Sequence, residues 1–283
     1  MRNAKIEVRP IAGTIGAELH GVDISTDLPD ATIAEIRQAL LDHCVIFFRD
    51  QKLDVPQQKA FARRFGDLFI HPNYKGLQAD SEIVEIKRAP GDKKIVGEEW
   101  HADTTMVSEP PMGAILYAIE VPPYGGDTLF ANQYQAYDAL SAGMKKLIAD
   151  LHAIHFSGSR QLGTTTADQA HAAEQKKISP PVAHPVVRVH PDTGRKAIYL
   201  GEKVRRFDAM TEEESRPLIE YLNRHATRPE FVYRHQWRAH DILLWDNRCT
   251  MHQALGDFDQ TQSRYMERTT VIGTPSGYVV EAA

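Results

Sequence analysis

The tetrapeptide Trp100-His101-Ala102-Asp103 and the distant His252 carry the strongest chemical signal in the chain. In an extended segment, residues i and i+2 point to one face, so His101 and Asp103 can reach the same metal ion. His252 follows an expected strand, Ile242 to Trp245, and supplies a third ligand. Two neutral imidazoles and one carboxylate on one face of an iron ion leave positions open for a chelating oxo-acid and O₂. The same three ligands would also serve a zinc hydrolase. An isolated H-x-D is a weak motif in a chain with 13 histidines, so its companions must decide.

Arg264 and Arg268 lie four residues apart in SRYMERTTVIG. A strand through this segment puts both on one face. Two inward guanidinium groups require anionic partners, and both suit bidentate carboxylate binding. The alternative is an edge strand with both arginines in solvent. Gly125-Gly126-Asp127-Thr128 reads as a turn, and the Thr128 hydroxyl can donate to a carboxylate that an arginine holds.

Strands and helices must position these groups. Helical spacing of Ile33, Ile36, Leu40 and Leu41 predicts a helix from about Ala31 to His43, with Asp30 as N-cap. A buried strand, Val45 to Phe48, follows, then a helix over about Pro56 to Phe65, preceded by Asp54. Further helices are expected over Gln133–Leu140 and Ala142–Leu151. Another, capped by the Thr211/Glu214 pair, reaches about His225. Phe231, Tyr233 and Trp237 alternate with polar residues as in a half-buried strand, and Thr269 to Ile272 forms another. This order favours an antiparallel sandwich or barrel with helices packed outside, in one domain spanning residues 1–283. The polar stretch 157–181 reads as a mobile lid.

The chain has 283 residues and a net charge of −5, without the basic excess of a nucleic-acid-binding domain. No run approaches the ~20 apolar residues of a membrane span, and MRNAKIEVRP contains no signal-peptide core. The two cysteines, Cys44 and Cys249, sit in apolar, strand-like surroundings and read as buried free thiols, which fits a reducing compartment. A cytoplasmic protein acting on a small molecule is expected, with neither a nucleic-acid nor a membrane partner.

W-H-A-D (100–103), P-P-x-G-G-D-T (122–128), W-D-N-R (245–248) with His252, and R-Y-M-E-R-T-T (264–270) together resemble the taurine dioxygenase and aryloxyalkanoate dioxygenase (TauD/TfdA) family. Weaker matches are G-A-E-L-H-G-V-D (16–23), F-R-D-Q (48–51), A-R-R-F-G (62–66) and H-P-V-V-R (184–188). The resemblance implies a mainly β fold with flanking helices, a double-stranded β-helix or jelly roll. It implies Fe(II) on His101, Asp103 and His252, with 2-oxoglutarate as co-substrate alongside O₂. Thr128 and Arg264 would hold the distal carboxylate of 2-oxoglutarate. Arg268 would lie near its proximal carboxylate or the substrate anion. His71 and Tyr74 match positions that contact the sulfonate and amine ends of taurine in that branch.

Gly97 departs from the taurine branch, which has an asparagine there that helps hold the amine. VGEEWHAD, RYMERTT, FVYRHQW and WDNRC look closer to the aryloxyalkanoate branch. The expected reaction is hydroxylation of a small organic anion of aryloxyalkanoate or alkylsulfonate type. It would give succinate, CO₂ and a hydroxylated product that collapses. Taurine dioxygenase proper is the near alternative. Gly97 and Met106 suggest a roomier, apolar wall. The two arginines argue against a zinc hydrolase, and the intact triad argues against a non-catalytic jelly-roll binding protein. The resemblance also implies a homo-oligomer.

Overall fold

The structure, a computed structural model, describes residues 6–71, 76–77, 80–91, 97–156, 180–259 and 261–280. Tyr74 and residues 157–179 of the expected lid lie outside the described residues. In chain order the first half comprises β1 (Glu7–Pro10), β2 (Ala17–His20), α1 (Asp30–His43), β3 (Val45–Phe48), α2 (Val55–Arg63), β4 (Ile83–Arg88), β5 (Gly113–Glu120) and β6 (Thr128–Asn132). Helices α3 (Gln133–Asp138) and α4 (Ala142–Ile148) lead into β7 (His152–His155), β8 (Val182–Pro185), β9 (Val187–Val189), β10 (Lys196–Ile198) and β11 (Val204–Phe207). Helix α5 (Glu212–Ala226) precedes β12 (Val232–His235), β13 (Ile242–Asp246), β14 (Thr250–Ala254), β15 (Arg264–Val271) and β16 (Tyr278–Val279).

The principal sheet has the order β1-β2-β3-β13-β5-β15-β4, and among the described residues its only parallel pair is β2–β3. Alternation explains its two buried faces. Ile46, Phe48, Ile115, Tyr117, Ile242 and Leu244 pack against Ile33, Ile36 and Leu40 of α1 and Phe61 of α2. Val45, Phe47, Leu116, Leu243 and Trp245 point the other way, onto Phe130, Tyr233 and Trp237. A smaller sheet, β12-β6-β14, therefore closes the sandwich, with β11-β7-β8-β16 and β10-β9 beside it. Each fully buried Ile or Phe contributes roughly 1.5–3 kcal/mol. This is the expected jelly roll.

Local chemistry sets the helix ends, with one correction. Pro29, not Asp30, occupies the N-cap of α1, and no side chain caps it. Asp30 lies in the first turn, where its charge suits the helix dipole and pairs with Arg64. Asp54 with Gln57 and Thr211 with Glu214 both form capping boxes. Cys44 ends α1 in the left-handed region, φ 63°, rather than lying in a strand. Cys249 sits in the turn before β14, and both thiols are buried and free.

The β13–β14 turn is pinned from within. Both Asp246 carboxylate oxygens accept from Arg248, at 2.9 and 2.6 Å, and His190 Nε2 adds a third contact at 3.0 Å. His190, Asp246 and Cys249 bring ligand-type atoms together, but the arginine occupies this carboxylate, which makes the cluster a brace. Burial alone would push the Asp246 carboxyl up, yet Arg248 and His190 hold it well below the usual carboxylate range. A depressed folded pKa adds stability above the unfolded value of about 4, and that stability is lost as pH falls. Asp246→Asn should cost about 3–5 kcal/mol at neutral pH. In urea titrations its deficit against wild type should shrink below about pH 4. A deficit independent of pH would contradict this account.

Candidate active site

His101 and His252 meet across a two-residue antiparallel bridge. The His101 amide donates to the His252 carbonyl at 3.0 Å, and the His252 amide donates back at 2.8 Å. Residues that exchange both bonds project to one face, and the two rings lie 4.2 Å apart. Asp103 completes the group: its Oδ1 lies 3.8 Å from His101 Nε2 and 4.0 Å from His252 Nε2.

Each ligand is held by something behind it. His101 Nδ1 lies 2.7 Å from the Glu99 carbonyl, which only accepts, so Nδ1 carries the proton. The Nε2 lone pair therefore faces Asp103. Burial, then His101 and Arg268, push His252 down to about 3, leaving a neutral imidazole packed on Phe130 and Trp245. Burial would raise Asp103, but Arg268 and the two histidines hold it down at about 2. Arg268 Nη1 donates to Asp103 Oδ1 at 3.0 Å, while the buried Oδ2 has no hydrogen-bond partner. Asn247 clamps the backbone, accepting from the Asp103 amide at 2.7 Å and donating to its carbonyl at 3.0 Å. Two imidazole nitrogens, an ionised carboxylate and an orphaned carboxylate oxygen are the donor set that a ferrous ion would take.

The expected second half of the site lies beside it. Arg264 and Arg268 are both buried on β15, which runs between β4 and β5, so the solvent-edge reading is excluded. Burial pushes Arg264 down to about 10, partly opposed by Asp127. Among the described residues its guanidinium has one hydrogen bond, from Nε to the Gly126 carbonyl at 3.2 Å, and no ion-paired carboxylate. That leaves a cation needing an anion. The GGDT segment is the expected turn, with φ 72° at Gly125 and 68° at Gly126. Arg234 braces it through Asp127 and Asp257, each at 2.6 Å. Thr128 Oγ accepts from Trp237 Nε1 at 3.0 Å, which leaves the hydroxyl proton to donate elsewhere.

His71 is buried and pushed down to about 4 by burial and by Arg268, with Asp103 opposing, which places it beside this pair. Gly97 takes φ 84°, and a Cβ there would meet His101 Cε1 at 3.0 Å. Backbone conformation and contact with the His101 ring both favour glycine at 97. Met106 is half-buried in the turn after Asp103. Asn247, Trp237 and the Glu99 carbonyl were missed as supports by sequence reasoning. WDNR and FVYRHQW flagged their neighbourhoods without giving them roles.

The family model for "Taurine catabolism dioxygenase TauD, TfdA family" matches residues 7–270. The alpha-ketoglutarate-dependent sulfate ester dioxygenase of Pseudomonas putida is 36% identical over 95% of this chain and 90% of its own length. The (S)-phenoxypropionate/alpha-ketoglutarate-dioxygenase of Sphingobium herbicidovorans is also 36% identical, over 95% and 96%. Among solved structures, a taurine dioxygenase from Burkholderia xenovorans superposes with a TM-score of 0.82 at 34% identity, covering 98% of this chain and 95% of that one. AAD-2 in complex with Mn(II) and N-oxalylglycine gives a TM-score of 0.85 at 32% identity, covering 96% and 99%. The chain belongs to the TauD/TfdA family. It is an enzyme of the non-haem iron, 2-oxoglutarate-dependent dioxygenase class.

The Asn247 clamp yields a direct test. Asn247→Ala should weaken Mn(II) or Fe(II) binding roughly 10–100-fold while the protein stays folded. Unchanged affinity in an anaerobic metal titration would remove Asn247 from the support of the site.

Proposed function

We propose that the protein hydroxylates a small organic anion of the sulfate ester, alkylsulfonate or aryloxyalkanoate class. His101, Asp103 and His252 hold Fe(II), and Arg264 and Thr128 hold the distal carboxylate of 2-oxoglutarate. The observation that carries this is the buried, carboxylate-free Arg264 beside a cluster of three ligand atoms within 4.8 Å of one another. The bound iron, 2-oxoglutarate and O₂ supply the oxidising power, with succinate and CO₂ as the co-products.

The chain's own groups supply position and charge. The Glu99 carbonyl and Asn247 orient His101 and Asp103. Arg268 offsets the Asp103 charge through Nη1, and with His71 it presents a neutral donor and a cation to the substrate's acid group. Trp237 fixes the Thr128 hydroxyl toward an acceptor. Hydroxylation at a carbon bearing sulfate, sulfonate or ether oxygen gives a product that collapses to a carbonyl compound and an acidic or phenolic leaving group. Gly97 offers no side chain to grip an amine, so a substrate lacking an amine is favoured over taurine. The activities for which the similar proteins are named, on sulfate esters and phenoxypropionate, support the same class.

Among the described residues no helix is long and apolar enough to cross a membrane. The buried free thiols support a reducing, cytoplasmic setting. We also propose a homo-oligomer, on the family resemblance.

Replacing His101, Asp103 or His252 by alanine should abolish 2-oxoglutarate turnover with the fold retained. Wild-type turnover in any of the three would remove that residue from the site. Arg264→Ala should raise the 2-oxoglutarate requirement by an amount equivalent to about 2–5 kcal/mol, with a smaller rise in Thr128→Val. An unchanged requirement would sink the Arg264 assignment. In a succinate assay over a medium-chain alkyl sulfate, an aryloxypropionate and taurine at equal concentration, taurine should rank last. If taurine gave the highest kcat/KM, the reading of Gly97 would be wrong.

A further inference from the structure

A second group of buried polar atoms lies behind the metal-ligand loop, and the chemistry above leaves it unused. Arg188 on β9 is 3% exposed, and among the described residues neither of its Nη atoms has a hydrogen-bond partner. Its guanidinium stacks 4.6 Å from the centre of the Tyr199 ring. Among the described residues, the Tyr199 hydroxyl and His155 Nε2 are likewise buried without a hydrogen bond of good geometry, and the guanidinium beside Tyr199 opposes the rise that burial forces on its phenol. The rings of His155, His184 and Tyr199 lie 5.1–5.8 Å apart and form one box.

The hydrogen bonds around this box fix its polarity. His184 Nε2 faces the Thr105 and Val107 carbonyls at 2.9 and 3.1 Å, so that nitrogen carries the proton. Its Nδ1 then accepts from Ser276 Oγ at 3.0 Å. Thr105 Oγ lies 2.8 Å from His155 Nδ1. The Thr105 hydroxyl can donate or accept there, so His155 Nε2 offers either a proton or a lone pair. The unpartnered atoms are two guanidinium nitrogens, an imidazole nitrogen and a phenol oxygen. The guanidinium nitrogens only donate, and the phenol is able to donate.

A buried guanidinium excludes a cation. One water offers two lone pairs, too few for two guanidinium nitrogens and a phenol, whereas an oxyanion presents several acceptor oxygens and a charge to match the guanidinium. Stacking on Tyr199 offsets only part of the cost of burying Arg188. Burial and the nearby Arg188 both keep His155 and His184 neutral, as expected of a positively charged pocket. We propose that Arg188, Tyr199 and His155 form a second, buried binding position for a small oxyanion of the sulfate, sulfonate or carboxylate class.

The position uses residues other than Arg264 and is coupled to the Asp103 loop, whose carboxylate charge Tyr199 feels. Thr105, two residues beyond Asp103, is bonded to both histidines of the box. Gly201, just past Tyr199, packs against the backbone of Trp100 and His101. The occupant has two sources: a second acidic group of the substrate, or a free inorganic oxyanion such as a released leaving group.

The test is co-crystallisation of the metal-loaded protein with sodium selenate, read by anomalous diffraction. A peak within hydrogen-bond distance of Arg188 Nη and Tyr199 Oη is expected. It should vanish in Arg188→Met, while a selenate peak at Arg264 persists. Because the two peaks are read separately, failure at Arg188 is distinguishable from failure of the 2-oxoglutarate assignment. Arg188→Lys and Tyr199→Phe serve as milder variants if Arg188→Met does not fold, and each should lower occupancy. Succinate assays then identify the source. A KM raised at least 10-fold in Arg188→Lys for an alkane disulfonate relative to the monosulfonate of equal length assigns the position to the substrate. An equal effect on both, with the selenate peak present, assigns it to a free anion. Well-ordered water at Arg188 with no selenate peak overturns the proposal.

Discussion

The reciprocal backbone hydrogen bonds between His101 and His252 are the contact on which the rest of the site depends. They join the loop before β5 to a strand near the end of the chain and force two imidazoles onto one face. Without them, Asp103 would have no partners to share an ion with. The principal sheet and its helices matter to function because they fix this pairing. Trp245 of β13 and Phe130 of β6 pack against the His252 ring, so the sandwich core is also the wall of the candidate metal centre.

Charge is the second constraint. A buried carboxylate beside two neutral histidines needs compensation, and Arg268 supplies it. Arg264, two strand repeats away, has no such carboxylate among the described residues. Two arginines on one face of one strand therefore do different work. The first balances a ligand, and the second remains open to an external anion. Asp127 lies close enough to soften the cost of burying Arg264, but it is committed to Arg234.

Much of this was legible in the sequence because it depends on local periodicity. The two-residue spacing of His101 and Asp103, the four-residue spacing of Arg264 and Arg268, and the apolar run of β3 each translate directly into faces. The Asp54 and Thr211 caps were legible for the same reason. What was not legible is tertiary. Asp30 has the right chemistry for an N-cap, but Pro29 stands there and Arg64 takes the carboxylate. Asn247 and Trp237 act on residues distant in sequence, so no local pattern gives them a role. The positive φ of Gly97 and its contact with the His101 ring are likewise consequences of the folded loop, which no local pattern announces.

The proposed function rests on one chain-built site holding ferrous iron and, through Arg264, the far end of 2-oxoglutarate. Its most direct test is an anaerobic titration of the Fe(II)-loaded protein with 2-oxoglutarate, followed by visible absorption. A keto acid chelating iron at this site should give a saturable band with one equivalent bound per chain. The band should be lost in Asp103→Ala. In Arg264→Ala it should reappear only at much higher 2-oxoglutarate concentration. A band of unchanged midpoint in Arg264→Ala, or one that persists without Asp103, would contradict the account.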